Sequence, residues 1–294
     1  MPASRTLDLR GARNFSPPAP RRSWEIGAAP AASTRWGLSF NAGLRAAFAV
    51  LCAGLILFGV YIAVFYGGAA LSGRWALWNA GSLPGLYDPN MPLATLGMGA
   101  HLFAGAVLMA LGPLQFVPAI RQRRPALHRA IGRIYIAFAM LAAIGGLLFV
   151  FLKGTVGGLI MDVGATLYGA LVIAFGFATI AFAIRNDFAR HECWAMRLFA
   201  LVSGALLYRI EYALWGALTS GAGHTASYDG WFDNVVNLGF YAPALVAAEA
   251  YIRTRGKPGS CGIQVASWLA TAIIAAGVLL VIAKSWLPRI GLIL

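Results

Sequence analysis

Seven stretches of about twenty mostly apolar residues, near positions 44–66, 94–120, 130–152, 158–184, 193–218, 235–252 and 265–285, constrain the fold of this chain more than any other feature. An α-helix rises 1.5 Å per residue, so about 20 residues cross the hydrocarbon core of a bilayer. Inside lipid every backbone N–H and C=O must find its partner within the chain, and continuous runs of this length meet that demand as helices. The fourth and fifth runs are long enough to tilt or to project past the bilayer, and the sixth is the shortest. Composition agrees: 60% of the 294 residues are hydrophobic and 11% charged, against about 25% charged in soluble domains. The expected architecture is all-α, a polytopic transmembrane helical bundle of about seven spans over 44–294.

The 23 Lys and Arg exceed the 10 Asp and Glu, a formal charge of +13. These cations sit in short clusters between apolar runs, with none of the aromatic-basic interleaving of a nucleic-acid surface, so nucleic acid is not an expected partner. Residues 1–43 carry Arg5, Arg10, Arg13, Arg21 and Arg22 around Pro17, Pro18 and Pro20, and are expected to form a disordered basic tail attracted to anionic lipid. Arg121, Arg123, Arg124, Arg129 and Arg133 lie around the second loop, Arg185, Arg190 and Arg197 around the fourth, and Arg253, Arg255 and Lys257 around the sixth. If the spans alternate, all of these fall on one side. The positive-inside rule makes that side cytoplasmic, with the N-terminus in and the C-terminus out, in a cell inner (plasma) membrane. The segment 67–92, rich in Gly, Pro and Trp, is expected outside as an interfacial lid lying on the bilayer, and the loop around His224, Tyr228 and Trp231 as a similar one.

Any chemistry must then sit between helices, where ionisable residues are costly and therefore informative. His101 has Gly97 and Gly105 four residues away on the same helix face, which leaves room for a close neighbouring helix or for a flat ligand. Arg209 and Glu211, two apart, point to different sides and do not pair. Arg209 is expected to meet Asp162 or backbone carbonyls of another helix. His101, Asp162 and Arg209 together form a candidate outer polar site for a quinone, substrate or proton. Glu249 is expected to pair with Arg253 at i+4.

His128 opens the third span just after Pro125, and His191 opens the fifth; Gly132 and Ala195 follow one turn later. Both helices start on the same side, so the imidazoles share a depth. Two facing histidines are what the iron of haem b takes as axial ligands. His128 and His191 are thus the candidate metal ligands of one haem near the cytoplasmic side, with Arg129, Arg133 and Arg197 as candidate partners of its propionates. The same groups would also suit an anionic headgroup or a purely structural role. The three cysteines form no C-x-x-C, and no Ser-His-Asp order or H-E-x-x-H motif occurs, so hydrolase and zinc chemistry have no motif support.

The string His101-Leu102-Phe103-Ala104-Gly105, followed by Gly112-Pro113-Leu114-Gln115-Phe116, Arg124-Pro125 and His128-Arg129-Ala130-Ile131-Gly132-Arg133-Ile134-Tyr135, with Asp187, Arg190-His191, Trp194-Ala195-Met196-Arg197 and Arg209 further on, resembles the predicted bacterial membrane proteins of domain of unknown function 2306. The resemblance covers about 97–215. The family's later motif runs His-Arg-x-Trp-Met-Arg, whereas here it is His191-Glu192-Cys193-Trp194-Ala195-Met196-Arg197, with altered spacing. The resemblance implies a membrane bundle and supplies no activity; its layout is similar to b-type cytochromes, an analogy of architecture alone. The expected function is a b-type haem electron-transfer or redox subunit. The alternative is a transporter or a membrane protein binding an anionic lipid or metabolite without haem.

Overall fold

The computed structural model describes residues 35–81, 83–254 and 260–294, with side chains from residue 42 onward. The tail expected over 1–43 lies mostly outside the described residues, although the first helix already begins at Arg35. No strand occurs among the described residues. The long helices are α1 (Arg35–Tyr61), α2 (Pro92–Leu111), α3 (Pro125–Lys153), α4 (Gly158–Ile184), α5 (Phe188–Thr219), α6 (Trp231–Gly239), α7 (Ala242–Thr254) and α8 (Cys261–Val281). Among the described residues six segments are long and apolar enough to cross a bilayer unaided: 42–71, 92–116, 125–153, 158–184, 188–219 and 261–290.

The sixth expected span, 235–252, is α6 and α7, bent by 40° between Gly239 and Ala242. Its contacts with α5 show that the pair runs along α5 as one unit. Asp233 accepts from Tyr212, Asn237 from Tyr208, and Glu249 from Arg197. Tyr241 packs where a side chain on Gly204 would stand. As α6–α7 advances, its partners on α5 step back from 212 to 197, an antiparallel course of about 22 Å at 1.5 Å per residue. With that bent pair counted as one span, the candidate crossings among the described residues number up to seven.

Helix ends follow local chemistry. Proline at the first position opens α2 and α3, where its missing N–H has no helical partner to lose. Asp187 caps α5 by accepting from the Arg190 N–H at 3.1 Å, and Ser260 caps α8 through Ile263. The apolar run places the start of the fifth span at 193; the Asp187 cap carries the helix back through residues 188–192, which include Arg190, His191 and Glu192.

α5 is the central rod, packed by α1, α4, α7 and α8. Of its apolar stretch 61% is buried within protein, against 22% for α4 and α8. Its neighbours shield it from lipid, which is why the least apolar span can hold Arg197, Arg209 and Glu211. Elsewhere large apolar side chains face outward, among them Phe103, Phe151, Phe177 and Leu279, a surface suited to acyl chains. α1 and α8 pack together, and each passes through a π-helical turn near one end, at Ile62–Gly67 and Ile282–Trp286. There Phe58, Tyr61 and Trp286 stack with interplanar angles of 9° to 17°.

Contacts also sort the loops. Arg197 meets Glu249 at one end, together with Arg253. At the other, Arg74 donates to the carbonyls of Leu292 and Ile293, Arg289 to those of Ala80 and Gly81, and Lys153 pairs with Asp88 at 3.2 Å. The arginine-rich loops thus share one end of the bundle, the basic end.

Candidate functional site

Between α2, α3, α4 and α5, in the half away from the basic end, lies a cavity of about 460 Å³. Small residues create it. Gly97 and Gly145 bring α2 and α3 together so closely that a Cβ on Gly145 would stand 2.5 Å from the Gly97 carbonyl oxygen. Gly105, two turns further along α2, has nothing within 4 Å of where its Cβ would be, and it lines the cavity. The two glycines flanking His101 thus serve different ends, the first close packing and the second open space.

The cavity is graded. Towards the loop end its wall includes Lys153, Thr155, His101 and Arg209; towards the membrane centre it is Leu108, Met109, Ala139, Val172 and Val202. Residues 83–86, which belong to the segment expected to lie on the bilayer, also line it. That segment instead folds over the bundle: Trp78 is buried, with its indole N–H donating to the Tyr66 carbonyl at 2.9 Å, and Lys153 of α3 holds Asp88 beyond it. The Asn90 backbone N–H and the Lys153 ammonium keep the Asp88 carboxyl below its usual range. The loop around His224 is likewise knotted rather than spread. Its centre is the fully buried Asp233, which accepts from His224, Tyr212, Thr225 N–H and Gly230 N–H at 2.7 to 3.0 Å, while Trp231 stays exposed.

His101 and Arg209 both face the cavity. The His101 ring rests on bare Gly146, and its Nδ1 lies 2.8 Å from the Ala142 carbonyl. A carbonyl only accepts, so Nδ1 carries the proton and Nε2 has a lone pair. Arg209 lies over the Phe58 ring at 4.3 Å and donates through Nη1 to Ala205 of its own helix at 2.7 Å. Its Nε is buried without a partner. Among the described residues no carboxylate lies within salt-bridge distance of it. A guanidinium in a largely apolar cavity with no counter-charge is a strong electrostatic demand.

Asp162, expected to satisfy it, does not. The chain leaves α3 through Gly154 at φ 79°, which frees backbone donors in the turn, and the Asp162 carboxylate folds back to accept from the Thr155 N–H at 2.7 Å. Of the expected outer polar site, His101 and Arg209 come together at one cavity and Asp162 serves the turn. Glu211 is partly buried and, as expected, not paired with Arg209. Sequence reasoning did not single out Tyr168, Tyr208 or Asn237, which complete the wall; polar aromatics in an apolar run carry no directional signal by themselves.

At the basic end His128 and His191 are each the fourth residue of their helices, α3 and α5, and lie within electrostatic reach of each other. His191 Nδ1 bonds the Thr179 carbonyl at 2.9 Å, and His128 Nδ1 is buried without a partner. The space beside Gly132, expected to admit a macrocycle, holds Gln115, whose Oε1 would lie 3.2 Å from a Cβ there. Arg197 is committed to Glu249 at 2.8 Å and lies over the Trp194 ring. Arg133 is exposed and turns back to the Arg129 carbonyl of its own helix, and Arg129 is exposed as well. Glu249 also pairs with Arg253 at 2.7 Å, the expected i+4 bridge. Haem fits this arrangement in two respects, a His191 imidazole oriented through Nδ1 with Nε2 left over and a buried His128 Nδ1 without a partner. It does not fit in two: the filled gap at Gly132 and the engaged Arg197.

Residues 98–242 match the family model described as "Predicted membrane protein (DUF2306)". The match runs from α2 through α6, which contains most of the cavity wall, and extends the resemblance beyond residue 215. No curated protein and no solved structure matches the chain.

Proposed function

We propose that this multi-pass membrane protein binds a lipophilic, amphipathic molecule in the cavity between α2, α3, α4 and α5, with an oxygen-bearing head at Arg209 and His101 and an apolar tail towards the membrane centre. The observation that carries this is Arg209, a cation without a counter-charge among the described residues, in a graded, largely apolar cavity. About 460 Å³ falls in the range of ligand sites, about 300–1,000 Å³, and a few convergent polar groups in an apolar wall are their usual chemistry. The break between α6 and α7 adjoins the cavity through Phe240, which supports movement of the ligand as well as its storage. The test is solvent extraction of detergent-purified protein followed by mass spectrometry. One amphiphile should co-purify in near-stoichiometric amount and be lost from Arg209→Met, a change that keeps length and removes charge. Extracts of both proteins that hold only the bulk lipids of the membrane would overturn the proposal.

The orientation proposed with it sets the basic end in the cytoplasm, on the positive-inside rule. Exposed Cys261, which opens α8 at that end, should react with an impermeant maleimide only after the membrane is opened. Labelling of intact spheroplasts would reverse the assignment.

A second reading keeps haem b between His128 and His191. The buried, partnerless Nδ1 of His128 favours it, and Gln115 and Arg197 would have to give way. When bound, the haem would supply one-electron chemistry. Protein from haem-replete cells should then show a Soret band that shifts on dithionite reduction and is lost in His128→Ala and His191→Ala. Colourless protein retires this reading and leaves the cavity proposal standing.

A further inference from the structure

Given an amphiphile in the cavity, the reading on which the quinone assignment below rests, the donors and acceptors at the head define that ligand more narrowly. The Arg209 Nε is buried and one hydrogen of Nη1 goes to the Ala205 carbonyl, so the second Nη1 hydrogen and the two on Nη2 remain to meet a ligand oxygen. His101 offers the opposite, a lone pair at Nε2, because the Ala142 carbonyl fixes the proton at Nδ1. That lone pair repels a second anionic oxygen and welcomes a hydroxyl. A phosphate monoester carries close to two negative charges at neutral pH. Lys153, the other cation of the wall, is already paired with Asp88. The flanks suit a flat ring: Gly105 and Ala142 leave a low surface, and the aromatic side chains of Tyr168 and Phe240 stand in the same wall.

We propose that the head group is a quinone ring, carbonyl to Arg209 in the oxidised form and hydroxyl to His101 Nε2 in the reduced form, with its apolar chain running towards Leu108 and Val172.

The experiment uses the full chain in nanodiscs, with empty nanodiscs as the partition control. The probes are decylubiquinone, decylubiquinol and dodecanoate, which share a saturated tail and differ in the head. Binding is followed by thermal stabilisation and by quenching of tryptophan fluorescence. Both ring compounds should bind, and Arg209→Met should weaken the quinone about tenfold or more, the loss expected for a hydrogen bond from a charged donor. His101→Phe should weaken the quinol more than the quinone, an asymmetry that a merely structural His101 would not produce. Gly105→Leu, which meets no neighbour within 4 Å of its Cβ, should exclude the ring without lowering stability, and so serves if Arg209→Met fails to fold. Dodecanoate binding through Arg209 with no ring binding would overturn the quinone and leave the cavity proposal intact. Ring binding indifferent to all three substitutions would overturn the quinone assignment. No response to any probe, with no amphiphile in the solvent extract, would remove both.

Discussion

The contrast between two glycines on opposing helices gives the sharpest test of how the cavity is built. At Gly145 a Cβ would stand 2.5 Å from the Gly97 carbonyl oxygen and 3.0 Å from the His101 backbone nitrogen. A carbon normally approaches an oxygen to about 3.3 Å or more. Gly145→Ala therefore requires a displacement of roughly 0.8 Å, the shortfall between those separations. Both obstacles are backbone, so no side chain can swing aside and the helices must part. Overpacking of this kind costs about 1–3 kcal/mol. Gly105→Ala meets nothing within 4 Å, and shares with Gly145→Ala the same change in helix propensity and in the unfolded chain. The difference between the two variants isolates the clash: Gly145→Ala should have an unfolding equilibrium constant about 5- to 150-fold larger than Gly105→Ala. Denaturation by sodium dodecyl sulfate in mixed micelles, followed by tryptophan fluorescence, measures it. Equal stability of the two variants would refute the claim that α2 and α3 are held at backbone contact.

Other outcomes follow from the polar contacts. Asp233→Asn leaves an amide where a buried carboxylate took donors on both oxygens; a loss of about 2–4 kcal/mol is expected from hydrogen bonds to a charge, seen as lower melting temperature and faster proteolysis of the 220–233 loop. Because the Asp88 carboxyl is held below its ordinary value, its bridge to Lys153 contributes above the unfolded carboxylate pKa of about 3.9 and loses that contribution as pH falls through the lower folded value. Thermal melts from pH 7 downward should show that acid-side loss in the native chain, and Asp88→Asn should lack it. Glu249→Ala strands Arg197, whereas Arg253→Ala removes only the 75%-exposed partner. The first should destabilise more than the second in the same denaturation assay.

The spans were legible because lipid imposes one length and one chemistry on every crossing, and 158–184 matched to the residue. Local pairings were legible too: Glu249–Arg253 follows from helical spacing. What the sequence concealed is set by tertiary geometry. Arg197 and Glu249 lie 52 residues apart, and nothing in either neighbourhood announces the other. Gly97 and Gly105 stand equally far from His101 on one face, yet only the first meets a helix. Asp162 looked like a counter-charge for Arg209 because both fall in apolar runs, but the turn at Gly154 claims it. His101 and Arg209 emerged from the cost of polar groups in lipid; the small residues that make their cavity hollow rather than packed could be seen only once the helices were assembled.

The step-by-step pairing of α6–α7 with α5 bears on how such a bundle can move. A rod tied to its neighbour near both ends, through Asp233 and Glu249, and jointed between them can flex at the joint while its ends stay fastened. The elbow stands at the chamber wall beside Phe240, so bending there would reshape the chamber without uncoupling either end.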